Sequence, residues 1–168
     1  RTVARIPGDA PPPIPLDRTP DGSAILASWR STSSAPWAIT LWPTAKSSAQ
    51  RPERTILQEE RASLWQGRFS PNGRWISAVS LRDDEPGRKT MVIAPAAGAP
   101  RAQWVEVMRD HPWTDKMRWS VDGRTLYFIS RRPTSFFNLW GVRFDPDRGR
   151  PIGQPFLLTH YDNPSLMI

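Results

Sequence analysis

The chain has 168 residues, enough for one domain with a sizeable core, and no apolar run long enough to span a membrane. It contains 19 prolines and 10 glycines but no cysteine, so long helices are disfavoured, and disulfides, thiolate nucleophiles and cysteine-ligated metals are excluded. The formal net charge of +7 comes mostly from arginines that stand singly or in pairs, which favours a solvated Arg-rich surface and disfavours nucleic acid as a partner.

One segment occurs three times along the chain, and its turn glycines lie at positions 22, 73 and 123, at steps of 51 and 50 residues. Self-similarity at such a step is typical of repeat architectures. Each copy predicts a short strand, a tight turn and a second strand that alternates or is wholly apolar. In the turn, Asp or Asn bonds its own backbone and glycine adopts the left-handed conformation. The predicted structural turn residues are Asp21, Gly22, Asn72, Gly73, Asp122 and Gly123.

Two further strands follow the second strand of each copy, so each repeat predicts four strands. The predicted second strands are 24–27, 75–79 and 126–129, the third are 37–42, 90–94 and 137–144, and the fourth are 54–58, 103–107 and 155–159. The one helix-like stretch, 58–65, is predicted to connect the first two units. Four-stranded units at a constant step predict an all-β fold, a partial β-propeller of about three four-stranded antiparallel blades. A β-sandwich is the alternative, but it does not require the same turn at a constant step.

We expect residues 1–168 to form a single β-propeller region with blades at roughly 13–60, 64–108 and 114–160. Residues 161–168 are expected to start a truncated fourth blade, since the next turn glycine would fall near position 173. Because propellers usually close with about four to eight blades, we expect part of a larger propeller, or two copies paired into a six-bladed ring. Open blade edges would support such self-association. A start at Arg1 favours a fragment or a processed chain.

The best copy of the repeat, residues 69–80, reads Phe-Ser-Pro-Asn-Gly-Arg-Trp-Ile-Ser-Ala-Val-Ser, and residues 137–145 and 149–159 add a blade ending. These residues resemble the TolB-like (WD-repeat-like) bacterial β-propeller family, whose blades carry a Ser-Pro-Asp-Gly turn followed by a polar residue and an apolar strand. The resemblance covers nearly the whole chain after residue 13. It implies three blades of a larger propeller and suggests a periplasmic or other extracytoplasmic location.

Catalytic and metal-binding patterns are weak in this sequence. No Gly-x-Ser-x-Gly nucleophile elbow occurs, so no catalytic residue, enzymatic activity or cofactor is predicted. His111 with Asp110 and Asp115 is the nearest candidate metal cluster, but a polar loop before a blade explains it better. The acidic residues 83–85 likewise suit a solvated hairpin end better than a calcium loop. Segment 120–125 comes within one residue of the Ser-x-Asp-x-Gly-x-Thr box of sialidase propellers, which is itself a structural turn.

The candidate residues for binding a ligand or partner are Trp65, Arg68, Trp113 and Arg118. Arg68 and Arg118 occupy the same position in successive copies, two residues before the turn serine, which is compatible with a positively charged ring around a central opening. Asp17 holds this position in the first copy and weakens the ring, and a salt bridge between blades is the other interpretation. Trp65 and Trp113 precede the first strands and could face an opening, whereas tryptophans on strands are expected to pack between blades.

The sequence therefore predicts a non-enzymatic β-propeller interaction or sensory module that binds a protein, peptide or small ligand through loops or the central opening. The first alternative is an accessory propeller of a prolyl-oligopeptidase-like or tricorn-like peptidase, which needs a Gly-x-Ser-x-Gly segment elsewhere in the gene. A glycosidase-type propeller ranks third, because no pattern fixes a pair of carboxylates at a defined separation.

Overall fold

The structure, a computed structural model, describes residues 10–44, 54–85, 89–111, 114–131 and 136–162. These residues form three four-stranded antiparallel sheets. The first sheet comprises β1 (Ile14–Arg18), β2 (Ala24–Trp29), β3 (Ala38–Pro43) and β4 (Arg54–Leu57). The second comprises β5 (Ala62–Phe69), β6 (Trp75–Arg82), β7 (Lys89–Pro95) and β8 (Val105–His111). The third comprises β9 (Asp115–Trp119), β10 (Thr125–Ser130), β11 (Asn138–Asp145) and β12 (Arg150–Leu157).

Each sheet is a meander in which consecutive strands pair as neighbours. The prediction of an all-β fold with four antiparallel strands per repeat is confirmed. The described residues fall into three sheets rather than the two face-to-face layers of a sandwich, and their one helical element is the 3-10 turn Arg101–Gln103. Within the described ranges, no helix has the length and apolar character needed to cross a membrane.

The turn between the first two strands has the same geometry in all three sheets. Its glycines, Gly22, Gly73 and Gly123, have φ values of 71°, 68° and 68°. The side chain of the residue before each glycine accepts a hydrogen bond from the backbone N–H two residues further on. The three bonds are Ser23 N–H to Asp21 Oδ1 (3.0 Å), Arg74 N–H to Asn72 Oδ1 (3.1 Å) and Arg124 N–H to Asp122 Oδ1 (3.0 Å). An Asp or Asn side chain thus closes every turn in the way that its short polar group favours.

Hydrogen bonds within these turns also lower the pKa values of their carboxyl groups. The Thr19 hydroxyl, followed by the backbone N–H of Ser23, holds the pKa of Asp21 at about 2. The Ser120 hydroxyl donates to Asp122 at 2.6 Å and, with the Arg124 N–H, lowers the pKa of that carboxyl too. Both turns are therefore most stable with ionised carboxylates.

Two buried apolar clusters join the three sheets. The cluster between the first and second sheets centres on Leu26, Ile39, Leu57, Leu64, Ile76 and Val92. The cluster between the second and third sheets centres on Val79, Met91, Met117, Leu126, Phe128, Val142 and Phe144. The first strand of the second sheet contacts the first strands of both neighbours, β1 and β9. The three first strands β1, β5 and β9 therefore lie side by side, and we call them the inner strands.

The prediction that residues 58–65 connect two units is wrong for their second half, because β5 begins at Ala62. Ala62 and Leu64 are fully buried, while Ser63 and Trp65 are half-buried, which is the two-residue period of a strand. The Leu64 N–H donates to the carbonyl of Trp37 at 2.7 Å, so packing and hydrogen bonding with the first sheet determine this strand.

Two predicted fourth strands have different bounds in the structure. The predicted strand 103–107 begins and ends earlier than the observed strand, because β8 runs from Val105 to His111. Segment 155–159 was placed too late, since β12 runs from Arg150 to Leu157 and includes two prolines. An edge strand tolerates proline because one row of its backbone groups needs no ladder partner. The predicted start of a fourth blade at 161–168 falls mostly outside the described residues, and residues 161 and 162 lie in no strand.

Candidate functional site

An open cavity of about 460 Å³ lies where the inner strands run into their turns. The same position of each repeat, five residues before the turn glycine, contributes a charged side chain to its wall: Asp17 from β1, Arg68 from β5 and Arg118 from β9. The structure therefore brings together two of the predicted binding residues, Arg68 and Arg118, and the acidic residue that replaces them in the first copy.

The two arginines are held in a similar way. Each guanidinium lies against the backbone carbonyl of the preceding residue, at 3.5 Å from Gly67 O to Arg68 Nη1 and at 2.8 Å from Met117 O to Arg118 Nη1. Arg68 is half-buried and Arg118 is exposed. In the described part of the chain, neither guanidinium lies within 4.0 Å of a carboxylate oxygen.

The guanidinium groups of Arg68 and Arg118 repel each other, which disfavours the charged form. Burial, followed by the nearby charge of Arg118, lowers the pKa of Arg68, and the charge of Asp17 acts in the opposite direction. A guanidinium nevertheless stays protonated at any physiological pH. Both arginines therefore present positive charge to the cavity.

Asp17 contacts the second sheet through the backbone rather than through the Arg68 guanidinium. Its Oδ2 accepts the N–H of Phe69 at 2.9 Å, and its Oδ1 accepts the N–H of Arg18 at 2.9 Å. These two bonds fix the carboxylate at the cavity wall and join β1 to β5. A salt bridge between blades was the other interpretation of these charged positions. The structure instead shows the Asp17 carboxylate bonded to the backbone N–H of Phe69 in the next blade.

Trp119 forms part of the cavity wall next to Arg118. Its Nε1 donates to the carbonyl of Arg68 at 3.3 Å, and its ring packs edge-on against Phe144 with 5.0 Å between centroids. Leu16 and Phe69 complete an apolar side of the cavity and pack against the core between the first two sheets. The cavity therefore combines two cationic groups with a fixed apolar surface.

The remaining predicted binding residues lie elsewhere. Trp65 packs on Trp37, the residue just before β3, with 4.7 Å between ring centroids and 41° between ring planes. The Arg30 guanidinium lies 4.8 Å from the Trp37 ring. Trp65 therefore joins two sheets, and it is not among the residues that line the cavity. Trp113 lies outside the described residues.

Sequence reasoning missed Gln66, which links two inner strands just ahead of the arginines. Gln66 and Lys116 occupy the same position of successive repeats, and both have positive φ, at 56° and 59°, where each inner strand bulges. The Gln66 Oε1 accepts the N–H of Lys116 at 2.8 Å, and its Nε2 donates to the Asp115 carboxylate. The repeat spacing pairs the two positions, but nothing in the sequence shows that the side chain bridges them.

The acidic candidates for metal binding have other contacts. Asp115 accepts from Gln66, and its Oδ2 lies 3.8 Å from Lys89 Nζ; the side chains of residues 109–111 are not described. Among the described side chains, no group of three metal-ligating residues comes together. Asp84 of the acidic hairpin accepts two bonds from Arg82, at 2.9 and 2.8 Å, and this pairing lowers its pKa.

One face of the third sheet is exposed and apolar. Leu139 occupies the position of Ile39 and Met91 in the other two sheets, and it is 38% exposed whereas they are fully buried. Other exposed large apolar residues of this sheet and the segment after it are Ile152, Phe156, Leu158 and Tyr161. The described residues leave this face uncovered, and self-association through open blade edges stays a prediction.

Comparison with known proteins identifies the fold. No family model and no curated protein matches the chain. Among solved structures, it is similar to a puromycin-hydrolyzing peptidase of Mycobacterium tuberculosis, with a TM-score of 0.67 and 15% identity over 93% of this chain and 24% of that one. It is similar to prolyl oligopeptidase B of Galerina marginata, with a TM-score of 0.59 and 13% identity over 86% of this chain and 20% of that one.

A third similar structure is the β-propeller domain of the Trilobed protease of Pyrococcus furiosus, with a TM-score of 0.56 and 15% identity over 91% of this chain and 43% of that one. The chain therefore spans less than half the length of each of these three proteins. At such identities the likeness establishes the fold alone. Together with the three four-stranded sheets, it confirms that this chain is a partial β-propeller with three blades.

Proposed function

We propose that the chain is a non-enzymatic binding module, and that the cavity at the turn end of its inner strands holds an anionic group of a protein or peptide partner. The observation that carries this proposal is the convergence of Arg68 and Arg118, from equivalent repeat positions, on one cavity without a carboxylate partner in the described part of the chain. A TolB-like propeller with an interaction or sensory role would suit such a site.

The physical support comes from charge and from rigidity. A guanidinium that bonds no carboxylate gains more from an anion in a concave, half-buried position, such as that of Arg68, than in open solvent. The cavity volume lies within the range of about 300–1,000 Å³ that is usual for ligand sites. The bonds of Gln66 and Trp119 between β5 and β9 fix the two strands that carry the arginines. Little reorganisation would therefore oppose binding.

Isothermal titration calorimetry with two peptides of equal length tests the proposal, one rich in Asp and Leu, the other rich in Lys and Leu. We expect the acidic peptide to bind, and the Arg118→Gln variant to bind it roughly ten- to a hundredfold more weakly, as expected for a lost charged hydrogen bond. Arg150, an exposed arginine at the start of the outer strand β12, provides the matched control Arg150→Gln, which should bind as the parent does. Equal binding of both peptides, or equal effects of the two substitutions, would refute the proposal.

The second candidate function is an accessory propeller of a peptidase. It is favoured by the likeness to a puromycin-hydrolyzing peptidase, a prolyl oligopeptidase and the β-propeller domain of the Trilobed protease. The chain itself contains no Gly-x-Ser-x-Gly segment, so a nucleophile would have to lie in another part of the natural protein. Labelling the full natural protein with a fluorophosphonate probe tests this. The peptidase candidate requires a serine adduct, and a protein that stays unlabelled and encodes no such segment is not a serine peptidase of this type.

A further inference from the structure

We infer that the cavity selects a monoanionic carboxylate attached to an apolar group, in preference to phosphate or another dianion. This inference rests on the proposed binding role of the cavity and adds the chemical class of its ligand.

The first argument is the charge of the cavity wall. Its charged side chains are Arg68, Arg118 and Asp17, which leaves one excess positive charge. A monoanion neutralises that charge, whereas a dianion would leave a negative charge beside Asp17 in a partly buried position. The Asp17 carboxylate is tied to the backbone of Phe69 and Arg18, so its charge stays at the cavity when a ligand arrives.

The second argument is the shape of the donors. Each guanidinium is a planar fork that can bond two oxygens of one anion at once, so the donors suit a carboxylate, while the preference over phosphate comes from the charge and the apolar side of the cavity. One Nη1 of each arginine already bonds a backbone carbonyl, which orients the group and leaves other N–H donors without a partner among the described residues. Arg118, being exposed, is the group that a ligand reaches first, and the half-buried Arg68 lies further from solvent.

The third argument is the apolar side of the cavity. Leu16, Phe69 and Trp119 line it together with the arginines. A carboxylate that reaches the arginines therefore places the adjoining part of its molecule against these three residues. An apolar side chain next to the carboxylate would bury surface there, whereas inorganic phosphate offers nothing to bury.

Such a carboxylate could be the C-terminus of a peptide or an Asp or Glu side chain. The probes that separate the two sources are N-acetyl-Leu-Leu as the free acid, the same dipeptide as its C-terminal amide, and N-acetyl-Leu-Asp-Leu amide. Inorganic phosphate, used well above neutral pH so that it is a dianion, is the fourth probe. Binding of the free acid, with the dipeptide amide about tenfold weaker or more, indicates a C-terminal carboxylate. Binding of the Asp-containing amide instead indicates a side-chain carboxylate, and either result supports the inference.

Two substitutions test selectivity against phosphate. Asp17→Asn removes the negative charge but keeps an oxygen that can accept the Phe69 N–H, and it should raise phosphate affinity about tenfold or more. Arg118→Lys loses the fork but keeps the positive charge at an exposed position, so the free acid should keep its advantage over phosphate. Because Arg118 is exposed, this second variant stays informative if Asp17→Asn fails to fold.

The outcomes separate this inference from the proposed function. Phosphate that binds the parent chain as tightly as the carboxylate probes, or a preference that is unchanged in Asp17→Asn or lost in Arg118→Lys, would overturn the inference while the acidic-peptide result stands. Equal binding of acid and amide dipeptides together with no binding of the Asp-containing peptide would overturn it as well. If no anion binds and Arg118→Gln has no effect, the proposed function fails together with the inference.

Discussion

Replacing Gly149 by alanine would test how the last turn of the third blade docks on the second blade. Gly149 lies between β11 and β12 with φ at 68°, and a Cβ built there overlaps the six-membered ring of Trp75. The indole is fixed in place, because its Nε1 donates to the Pro146 carbonyl at 2.8 Å and its ring packs edge-on against Phe144 at 5.9 Å. The new methyl group must therefore displace the indole from the turn.

The size of the effect follows from what is lost. Alanine in the left-handed conformation costs roughly 1–2 kcal/mol. Displacing the indole forfeits a hydrogen bond worth about 1 kcal/mol and an edge-to-face contact worth about 0.5–1.5 kcal/mol. We therefore expect Gly149→Ala to lower the free energy of unfolding by roughly 3–4 kcal/mol.

Gly153 provides a matched control on the neighbouring strand. Its φ is 71°, and a Cβ built there meets nothing within 4 Å, so Gly153→Ala should cost only the conformational term of roughly 1–2 kcal/mol. Urea unfolding of both variants gives the difference, about 2 kcal/mol, as the contribution of the contact between blades. In a Trp75→Ala background, the cost of Gly149→Ala should fall to that of Gly153→Ala. Equal losses for the two glycine variants in the parent chain would refute the docking of Trp75 on this turn.

Three further outcomes can be measured on the same chain. Met117→Ala, at a fully buried position between the second and third blades, should cost about 2–5 kcal/mol in urea unfolding, and a loss below about 1 kcal/mol would contradict the packing. Asp122→Asn should lower the free energy of unfolding less than Asp122→Ala does, because Asn72 makes the same bonds in the second blade, whereas equal losses for the two variants would contradict the shared turn chemistry. The pKa of Asp21 is lowered to about 2 from 3.8, so the contribution of its carboxylate to stability is present above about pH 4 and is lost as the pH falls through about 2. The thermal unfolding midpoints of the parent and of Asp21→Asn should therefore converge as the pH falls over that range. A difference between the two midpoints that stays constant with pH would contradict this.

The sequence could predict those parts of the fold that depend on local chemistry. The Asp-Gly and Asn-Gly turns fix φ and the first hydrogen bonds within a few residues, so their positions follow from the repeat alone. The equivalence of Arg68 and Arg118 also follows from the repeat, since residues at the same offset from a turn occupy the same place in adjacent inner strands. Their convergence on one cavity follows once the sheets stack side by side.

Other features depend on neighbours that are distant in sequence. The start of β5 at Ala62 is determined by burial against the first blade, which no local pattern around residues 58–65 reveals. The Gln66 side chain finds its partners in Asp115 and Lys116, 49 and 50 residues further on. The position of Trp65 in the sequence likewise gives no sign of its ring contact with Trp37. Tertiary packing, rather than local sequence propensity, determines the start of β5, the partners of Gln66 and the contact of Trp65.

The most direct test of the account is a crystal structure of the chain grown with whichever of N-acetyl-Leu-Leu and N-acetyl-Leu-Asp-Leu amide binds more tightly. We expect the carboxylate of this ligand to lie within hydrogen-bond distance of both Arg68 and Arg118, with the adjoining leucine side chain against Trp119. A ligand bound elsewhere, or two guanidiniums already paired with carboxylates of the protein, would contradict the assignment of this cavity as the binding site.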